Sequence, residues 1–272
     1  MNRTAPIGFF DSGIGGLTVV KSVSQLLPNE NIIYFGDTAR VPYGSKSNET
    51  VIEYSIQAAN FLLRKNIKLL VVACNTASSV ALKELRKFLT IPVVGMIAPG
   101  SKMAVEFTKN NRIGVIGTRS TINNKAYTNE MLKLNPKLKI FDSPCPLFVP
   151  LAEEGWIHSK VTELVAKEYL LPLKEKNIDT LILGCTHYPI LSNVIQKVVG
   201  KKVKLIDSGS PAAKLVENYL AGRGLLNTSN QQGQSEFYVS DIPNKFKEIA
   251  ESFLGKEIKE IHKVELEELT NE

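Results

Sequence analysis

Two short stretches, VVACNTA at residues 71–77 and LILGCTHYP at residues 181–189, each carry a cysteine just past an apolar run. Runs of this length, rich in branched aliphatic side chains, are typical of buried parallel strands. Cys74 and Cys185 are therefore predicted at the carboxyl ends of two strands. In an open α/β sheet that edge borders the crevice where ligands bind, so both thiols are well placed for chemistry.

Polar residues follow both cysteines, Asn75 and Thr76 in one stretch and Thr186 and His187 in the other. These short side chains can donate and accept hydrogen bonds, and they could orient a small polar substrate between the two sulfurs. The alternative is that each cysteine packs as a small apolar side chain, which is common for free cysteine. The matched context of the two stretches favours a chemical role.

Cys145 provides a contrast. It lies in the proline-bounded segment SPCP at residues 143–146, without a polar continuation. We predict that this third cysteine is structural.

The rest of the chain alternates apolar strands with amphipathic helices, beginning with a strand at 7–10, a glycine turn at 11–16 and a helix at 17–27. Helices are predicted at 49–66 and 76–89, with a further strand at 91–96. After residue 100 the pattern restarts with the strand and turn at 112–121, and the second cysteine follows at a distance similar to the first. This repetition indicates an internal duplication.

The predicted fold is α/β, with two similar three-layer parallel-sheet domains that face each other pseudo-symmetrically around an active-site cleft. The first domain comprises residues 1–97 together with a returning segment, 209–272, and the second comprises residues 98–208. Within the returning segment we expect a strand at 233–240 and a helix at 243–254. The acidic stretch 265–272 is predicted to be a solvated end.

Composition excludes several classes of protein. The chain has 272 residues, 43% hydrophobic and 22% charged, without a run of eighteen apolar residues, which favours a globular cytoplasmic protein over a membrane protein. The net charge of +6 would suit nucleic acid or a small anionic substrate, but the lysines are scattered. The densest groups, at 201–204 and 133–139, are explained by solvated helix ends or loops. Three cysteines and three histidines lack zinc-ligand spacing, so no metal is expected.

The opening turn partly imitates a dinucleotide-binding fingerprint. Gly13 and Gly15 follow the first strand, and Asp37 ends the second strand at about the distance of a ribose-binding acid. The third glycine of the fingerprint would be residue 18, which is Thr18. A nucleotide-binding oxidoreductase is therefore kept only as an alternative.

At the level of motifs the chain resembles glutamate racemase, within the aspartate/glutamate racemase family. The resemblance extends nearly end to end and rests on the segments DSG at 11–13, PYG at 42–44, ACNT at 73–76, PLAE at 150–153 and GCTHYP at 184–189. It implies a bacterial isomerase that interconverts L- and D-glutamate without a cofactor, by two-cysteine acid/base chemistry. D-Glutamate would supply peptidoglycan, and hence cell-wall biogenesis and cell shape.

The resemblance also implies roles for individual residues. Cys74 would be the base for D-glutamate and Cys185 the base for L-glutamate, with Asp11 assisting the first thiol and Glu153 and His187 the second. Glu154, adjacent to Glu153, is the other candidate for the assisting acid. The residues implied to bind substrate are Asp11, Ser12, Pro42, Tyr43, Gly44, Asn75, Thr76, Thr118, Thr121, Thr186 and His187.

Other functions stay open at this stage. An aspartate-type racemase would share most of these motifs, while a nucleic-acid-binding protein would rest on the isoelectric point of about 9.0 alone. The expected partner is the small molecule glutamate, with neither membrane nor nucleic acid, and a homodimer is an open alternative to a monomer.

Overall fold

The computed structural model describes residues 2–242 and 246–270 and contains two parallel β-sheets. The strands of the described residues are, in chain order, β1 (Ile7–Asp11), β2 (Ile32–Gly36), β3 (Leu69–Val72), β4 (Val93–Gly95), β5 (Arg112–Gly117), β6 (Lys139–Pro144), β7 (Thr180–Gly184), β8 (Lys204–Ile206), β9 (Ser235–Val239) and β10 (His262–Lys263). The first sheet has the order β10-β9-β2-β1-β3-β4 and the second β6-β5-β7-β8.

Helices connect the strands and cover the sheets. Those in the described residues are α1 (Leu17–Leu26), α2 (Asn48–Leu63), α3 (Asn75–Val80), α4 (Leu82–Phe88), α5 (Ile97–Phe107), α6 (Arg119–Asn123), α7 (Ala126–Leu134), α8 (Phe148–Glu153), α9 (Lys160–Glu175), α10 (Ser192–Val199), α11 (Gly209–Gly222), α12 (Phe246–Leu254) and α13 (Leu266–Thr270). None of them has both the length and the apolar character needed to cross a membrane.

Alternate residues of the strands face different hydrophobic cores, which is the pattern of a sheet covered on both sides. Phe9 in β1 belongs to one cluster of buried side chains, whereas its neighbour Phe10 belongs to another. In the second sheet Leu181 joins the cluster of Phe9, and Ile182 belongs to a third cluster. One core thus runs from sheet to sheet, and each sheet is the middle of three layers.

The internal duplication is visible in topology and register. The orders β2-β1-β3-β4 and β6-β5-β7-β8 are the same arrangement used twice. Gly8 in β1 pairs with Leu70 in β3, and Gly114 in β5 pairs with Leu181 in β7. Cys74 and Cys185 each come four residues after those partners, so the two thiols occupy equivalent positions. The predicted α/β fold with two similar parallel-sheet units is confirmed.

The returning segment differs from its prediction in one respect. The acidic stretch 265–272 was predicted to be solvated, but within the described residues it forms α13, which packs against α2. Leu269 is buried in the core cluster of Phe10. The other described residues of the stretch are exposed, as predicted, but the burial of Leu269 was not predicted, because two leucines, Leu266 and Leu269, are too few to give a clear periodic signal. Residues 271–272 lie outside the described residues.

Two helix predictions are adjusted in their bounds. The helix expected over 76–89 is divided at Ala81 into α3 and α4. The helix expected over 243–254 is described from Phe246 onward as α12, and residues 243–245 lie outside the described residues. α4 packs against β4, and α12 packs against α1.

Candidate active site

A cavity of about 420 Å³ lies between the carboxyl ends of the two sheets. Both cysteines of the repeated stretches line it, although each is more than nine-tenths buried. The cavity also brings together most of the residues singled out from the sequence, namely Ser12, Pro42, Tyr43, Gly44, Asn75, Thr76, Thr118, Glu153, Thr186 and His187. Asp11 and Thr121 lie one layer behind this lining, fully buried.

Cys74 caps the amino end of α3. Its sulfur accepts a hydrogen bond from the backbone N–H of Ala77 and donates one to the Ser12 hydroxyl, both at 3.4 Å. Burial, together with the nearby Asp11 carboxylate, raises the pKa of the Cys74 thiol to about 12. At neutral pH the thiol form of Cys74 is therefore favoured.

Asp11 connects the two halves of the site. Its carboxylate accepts hydrogen bonds from the Gly13 N–H at 3.0 Å and from the Thr186 hydroxyl, in the other unit, at 3.4 Å. Burial raises the pKa of Asp11, although the charge of His187 and these hydrogen bonds oppose the shift. Asp11 thus acts electrostatically on Cys74 and on His187.

Cys185 has a different environment. Its Sγ lies 3.7 Å from Nδ1 of His187, whose Nε2 lies 2.9 Å from Oε1 of Glu153. Burial alone would lower the pKa of His187, but hydrogen bonds to Cys185 and Glu153, and their charges, raise it to about 10. Glu154, the alternative acid, is exposed and does not line the cavity.

The two thiols are thus placed in opposite electrostatic settings. A buried carboxylate lies near Cys74, whereas a cationic imidazole lies beside Cys185. Since a like charge disfavours a thiolate, the carboxylate keeps Cys74 protonated, and the two thiols differ in the charge of their nearest ionisable neighbours.

Asn75 presents a donor to the cavity. Its Oδ1 accepts hydrogen bonds from the hydroxyls of Tyr127 at 2.6 Å and Ser208 at 3.0 Å. Its Nδ2 is buried and has no hydrogen-bond partner among the described residues. A buried amide that lacks a partner is costly, so a ligand acceptor at this point would be stabilising.

Hydroxyl groups join the two units across the cleft. Thr76 and Thr118 lie 2.9 Å apart at their Oγ1 atoms, and Thr121 lies within 3.3 Å of both. The backbone of Gly44 lies against Thr118, since a side chain at residue 44 would overlap it. The hydroxyl of Tyr43 donates to Asp37, so this residue offers its ring rather than its hydroxyl to the cavity.

The features that imitated a nucleotide site serve other contacts. The Asp37 carboxylate is buried and bonded to Arg40 at 2.7 Å, to Tyr43 at 2.5 Å and to Ser240 at 2.9 Å. At Gly15 an added Cβ would lie 2.5 Å from Nδ1 of His187, so the turn packs directly against the second unit. The geometry therefore argues against a pyrophosphate at this turn.

Several cavity residues were not identified from the sequence. They are Val41, Ser45, Arg119, Pro146, Val149 and Pro150. Apolar lining residues look like ordinary core residues in a sequence. The described part of the chain has no group of three or more His, Cys, Asp or Glu residues that could hold a metal ion.

Comparison with known proteins gives consistent matches. The family model described as Asp/Glu/Hydantoin racemase matches residues 14–216. Glutamate racemase from Geobacter metallireducens is 51% identical over 261 residues, which are 96% of this chain and 97% of that protein.

Solved structures agree with this match. Glutamate racemase from Francisella tularensis, crystallised in complex with D-glutamate, has a TM-score of 0.91 and 44% identity, covering 97% of this chain and 98% of that one. The enzyme from Thermus thermophilus, in complex with β-chloro-D-alanine, has a TM-score of 0.89 and 43% identity, covering 98% and 100%.

Proposed function

This chain belongs to the Asp/Glu/hydantoin racemase family, and we propose that it interconverts L-glutamate and D-glutamate with Cys74 and Cys185 as the two acid/base groups. One observation carries the proposal: two thiols at equivalent strand ends of a duplicated fold line a single cavity. Inversion of an α-carbon removes a proton on one face and adds one on the other, so two groups must flank the carbon.

In the L-to-D direction the Cys185 thiolate takes the α-proton, and an S–H bond forms as the C–H bond breaks. The Cys74 thiol then gives its proton to the opposite face of the carbanion and becomes a thiolate. His187 and Glu153 support the first step, because a cationic imidazole held 2.9 Å from a carboxylate stabilises the adjacent thiolate. Asp11 keeps Cys74 protonated before the transfer, since its negative charge disfavours the thiolate.

The D-to-L direction uses the opposite protonation state, with Cys74 as thiolate and Cys185 as thiol. The charges of the protein around the cavity disfavour this state, because Asp11 opposes a thiolate at Cys74. The ammonium group of a bound substrate would offset part of that repulsion. We infer that the resting enzyme is prepared for L-glutamate.

The substrate's polar groups would be held by the short side chains and backbone that line the cavity. The unpartnered Nδ2 of Asn75 is a donor suited to a carboxylate oxygen. The further members of this set are Ser12, Pro42, Tyr43, Gly44, Thr76, Thr118, Thr121 and Thr186, with Asp11 and His187. Arg119, at the amino end of α6, also lines the cavity and adds a positive charge that suits a substrate with two carboxylate groups.

We predict racemisation of free glutamate without pyridoxal phosphate, metal or nucleotide. The proposed proton carriers are side chains of this chain, so dialysis and treatment with a chelator leave the rate unchanged. Circular dichroism of a glutamate solution follows the loss of optical activity. An unchanged signal with glutamate, or activity only after a cofactor is added, contradicts the proposal.

An aspartate-type racemase is the second candidate, because the family model covers both substrates. Glutamate is favoured, because the chain shares about half of its residues with a glutamate racemase over nearly its whole length. Parallel assays with glutamate and aspartate decide between them, and a higher kcat/KM for aspartate would reverse the choice.

We further propose that the chain divides into residues 1–97 with 209–272 and residues 98–208. In support, β9 and β10 join the first sheet and α11 packs against α1.

The enzyme would work in the cytoplasm and supply D-glutamate for peptidoglycan, as the family resemblance implies. A homodimer is proposed on the exposed apolar side chains of the segment 147–171, among them Leu147, Trp156 and Leu164.

A further inference from the structure

Thr18, the residue that breaks the dinucleotide fingerprint, makes a contact across the two units. It lies in the first turn of α1, directly after the glycine turn, and is half-buried. Its Oγ1 lies 2.9 Å from the carbonyl oxygen of Gly15 and 3.0 Å from that of Thr186, in the second unit. A hydroxyl has one proton to donate, so the two carbonyls share it. A third glycine at this position could not make either bond.

The carbonyl that Thr18 holds belongs to the peptide that leads into His187. Restraining this peptide restrains the backbone from which the imidazole projects. The space around the imidazole is already narrow: Gly15 leaves no room for a Cβ on one side, and the ring of Phe253 packs edge-on at 5.5 Å. The charged groups around His187 are Cys185, Glu153 and Asp11.

Thr18 itself does not line the catalytic cavity. It lines a second cavity of about 360 Å³, which it shares with Ser22 of α1 and Phe253 of α12. Any effect of Thr18 on catalysis must therefore pass through the Thr186–His187 peptide rather than through contact with substrate.

We propose that Thr18 is a positioning residue whose hydroxyl, by holding the Thr186 carbonyl, keeps the His187 imidazole within reach of the Cys185 sulfur. The separation of 3.7 Å between Nδ1 and Sγ is near the limit for a hydrogen bond to sulfur, so a small displacement of His187 weakens it. The inference rests on the proposed function, in which Cys185 acts as a thiolate.

The test compares Thr18→Val, Thr18→Ser and Ser22→Ala. Valine keeps the shape of threonine without the hydroxyl, and serine keeps the hydroxyl. Ser22 is the matched control, because it lies one turn further along α1 and lines the same second cavity. Among the described residues its hydroxyl bonds only to the Thr18 carbonyl of its own helix, at 3.1 Å. The loss of a hydroxyl at Ser22 leaves the contact with Thr186 in place.

We expect Thr18→Val to lower kcat about tenfold with KM changed less than about twofold, because misplacement of a catalytic group affects the chemical step more than binding. Thr18→Ser regains most of the turnover, and Ser22→Ala behaves as the parent. A parent-like kcat for Thr18→Val, or an equal loss in Thr18→Ser, overturns the proposal.

A second readout separates positioning from general destabilisation and needs no substrate. The rate of iodoacetamide alkylation of the Cys185 and Cys74 peptides is followed by mass spectrometry at one neutral pH. Thr18→Val should slow the alkylation of Cys185, because the His187 imidazole no longer lies within reach of its sulfur, and leave the rate at Cys74 unchanged. An unchanged rate at Cys185, or an equal change at both cysteines, contradicts the role. If the parent does not racemise glutamate, the proposed function fails, and this readout still tests Thr18.

Discussion

Cys74→Ala and Cys185→Ala each lower the rate of glutamate racemisation by about three orders of magnitude or more, whereas Cys145→Ala retains most of it. Each face of the α-carbon needs its own proton carrier, and an alanine at either position leaves one face without one. Circular dichroism of L-glutamate and D-glutamate solutions measures turnover in both directions. Both variants must be inactive in both directions, because each passage uses both thiols.

Cys145 is the matched control for the loss of a buried thiol. It is fully buried, donates weakly to the Ser143 carbonyl at 3.6 Å and does not line the catalytic cavity. Burial raises the pKa of Cys145 to about 12, so it is an inert thiol at neutral pH. Its replacement affects stability by about 1 kcal/mol. Equal loss of activity in all three folded variants would refute the assignment of the two catalytic thiols.

His187→Gln is expected to lower turnover by about two orders of magnitude. Glutamine can still form hydrogen bonds but carries no positive charge, so the Cys185 thiolate loses its cationic neighbour. The raised pKa of His187, about 10, keeps the parent's imidazolium across the neutral range. The parent's rate should therefore fall as pH rises through about 10 and His187 loses its proton, and the variant should lack this fall.

The His187→Gln substitution should also lower the free energy of unfolding, by an amount that depends on pH. The pKa of His187 rises from 6.5 to about 10 on folding, so its charge adds stability that is complete below about 6.5 and is lost as pH rises through about 10. The difference in unfolding free energy between parent and variant should shrink over that window in urea titrations. His158→Gln, on an exposed histidine, is the control and should show neither effect. A pH-independent stability difference would contradict the charged state assigned to His187.

The duplicated fold could be predicted from the sequence because each strand and the turn after it form a short, continuous pattern. Each cysteine stretch carries its own strand and polar turn, and β1 and β5 repeat the pattern. What it could not predict are contacts between segments far apart in the chain, such as the bond from Thr18 to Thr186. The engagement of the Tyr43 hydroxyl by Asp37, and the burial of Leu269 against α2, likewise depend on packing that no periodicity encodes. The motif resemblance supplied Glu153 and His187, but their ion pair is visible only in three dimensions.

The electrostatic difference between the thiols is the other feature absent from the sequence. Both cysteines follow buried strands and precede polar residues, so their motifs look equivalent. Only the folded chain brings Asp11 near Cys74 and His187 beside Cys185, and the proposed roles of proton donor and proton acceptor rest on this difference.

Turnover of L-glutamate in deuterated water tests the two-thiol account most directly. Cys185 removes the α-proton from one face, while Cys74, already exchanged with solvent, delivers deuterium to the other. Before about a tenth of the substrate has reacted, the D-glutamate formed should carry α-deuterium almost completely and the recovered L-glutamate should keep its proton. Mass spectrometry or proton NMR reads both. Appreciable protium in the first D-glutamate, which a single shared base would return, contradicts the assignment of Cys74 and Cys185 to opposite faces.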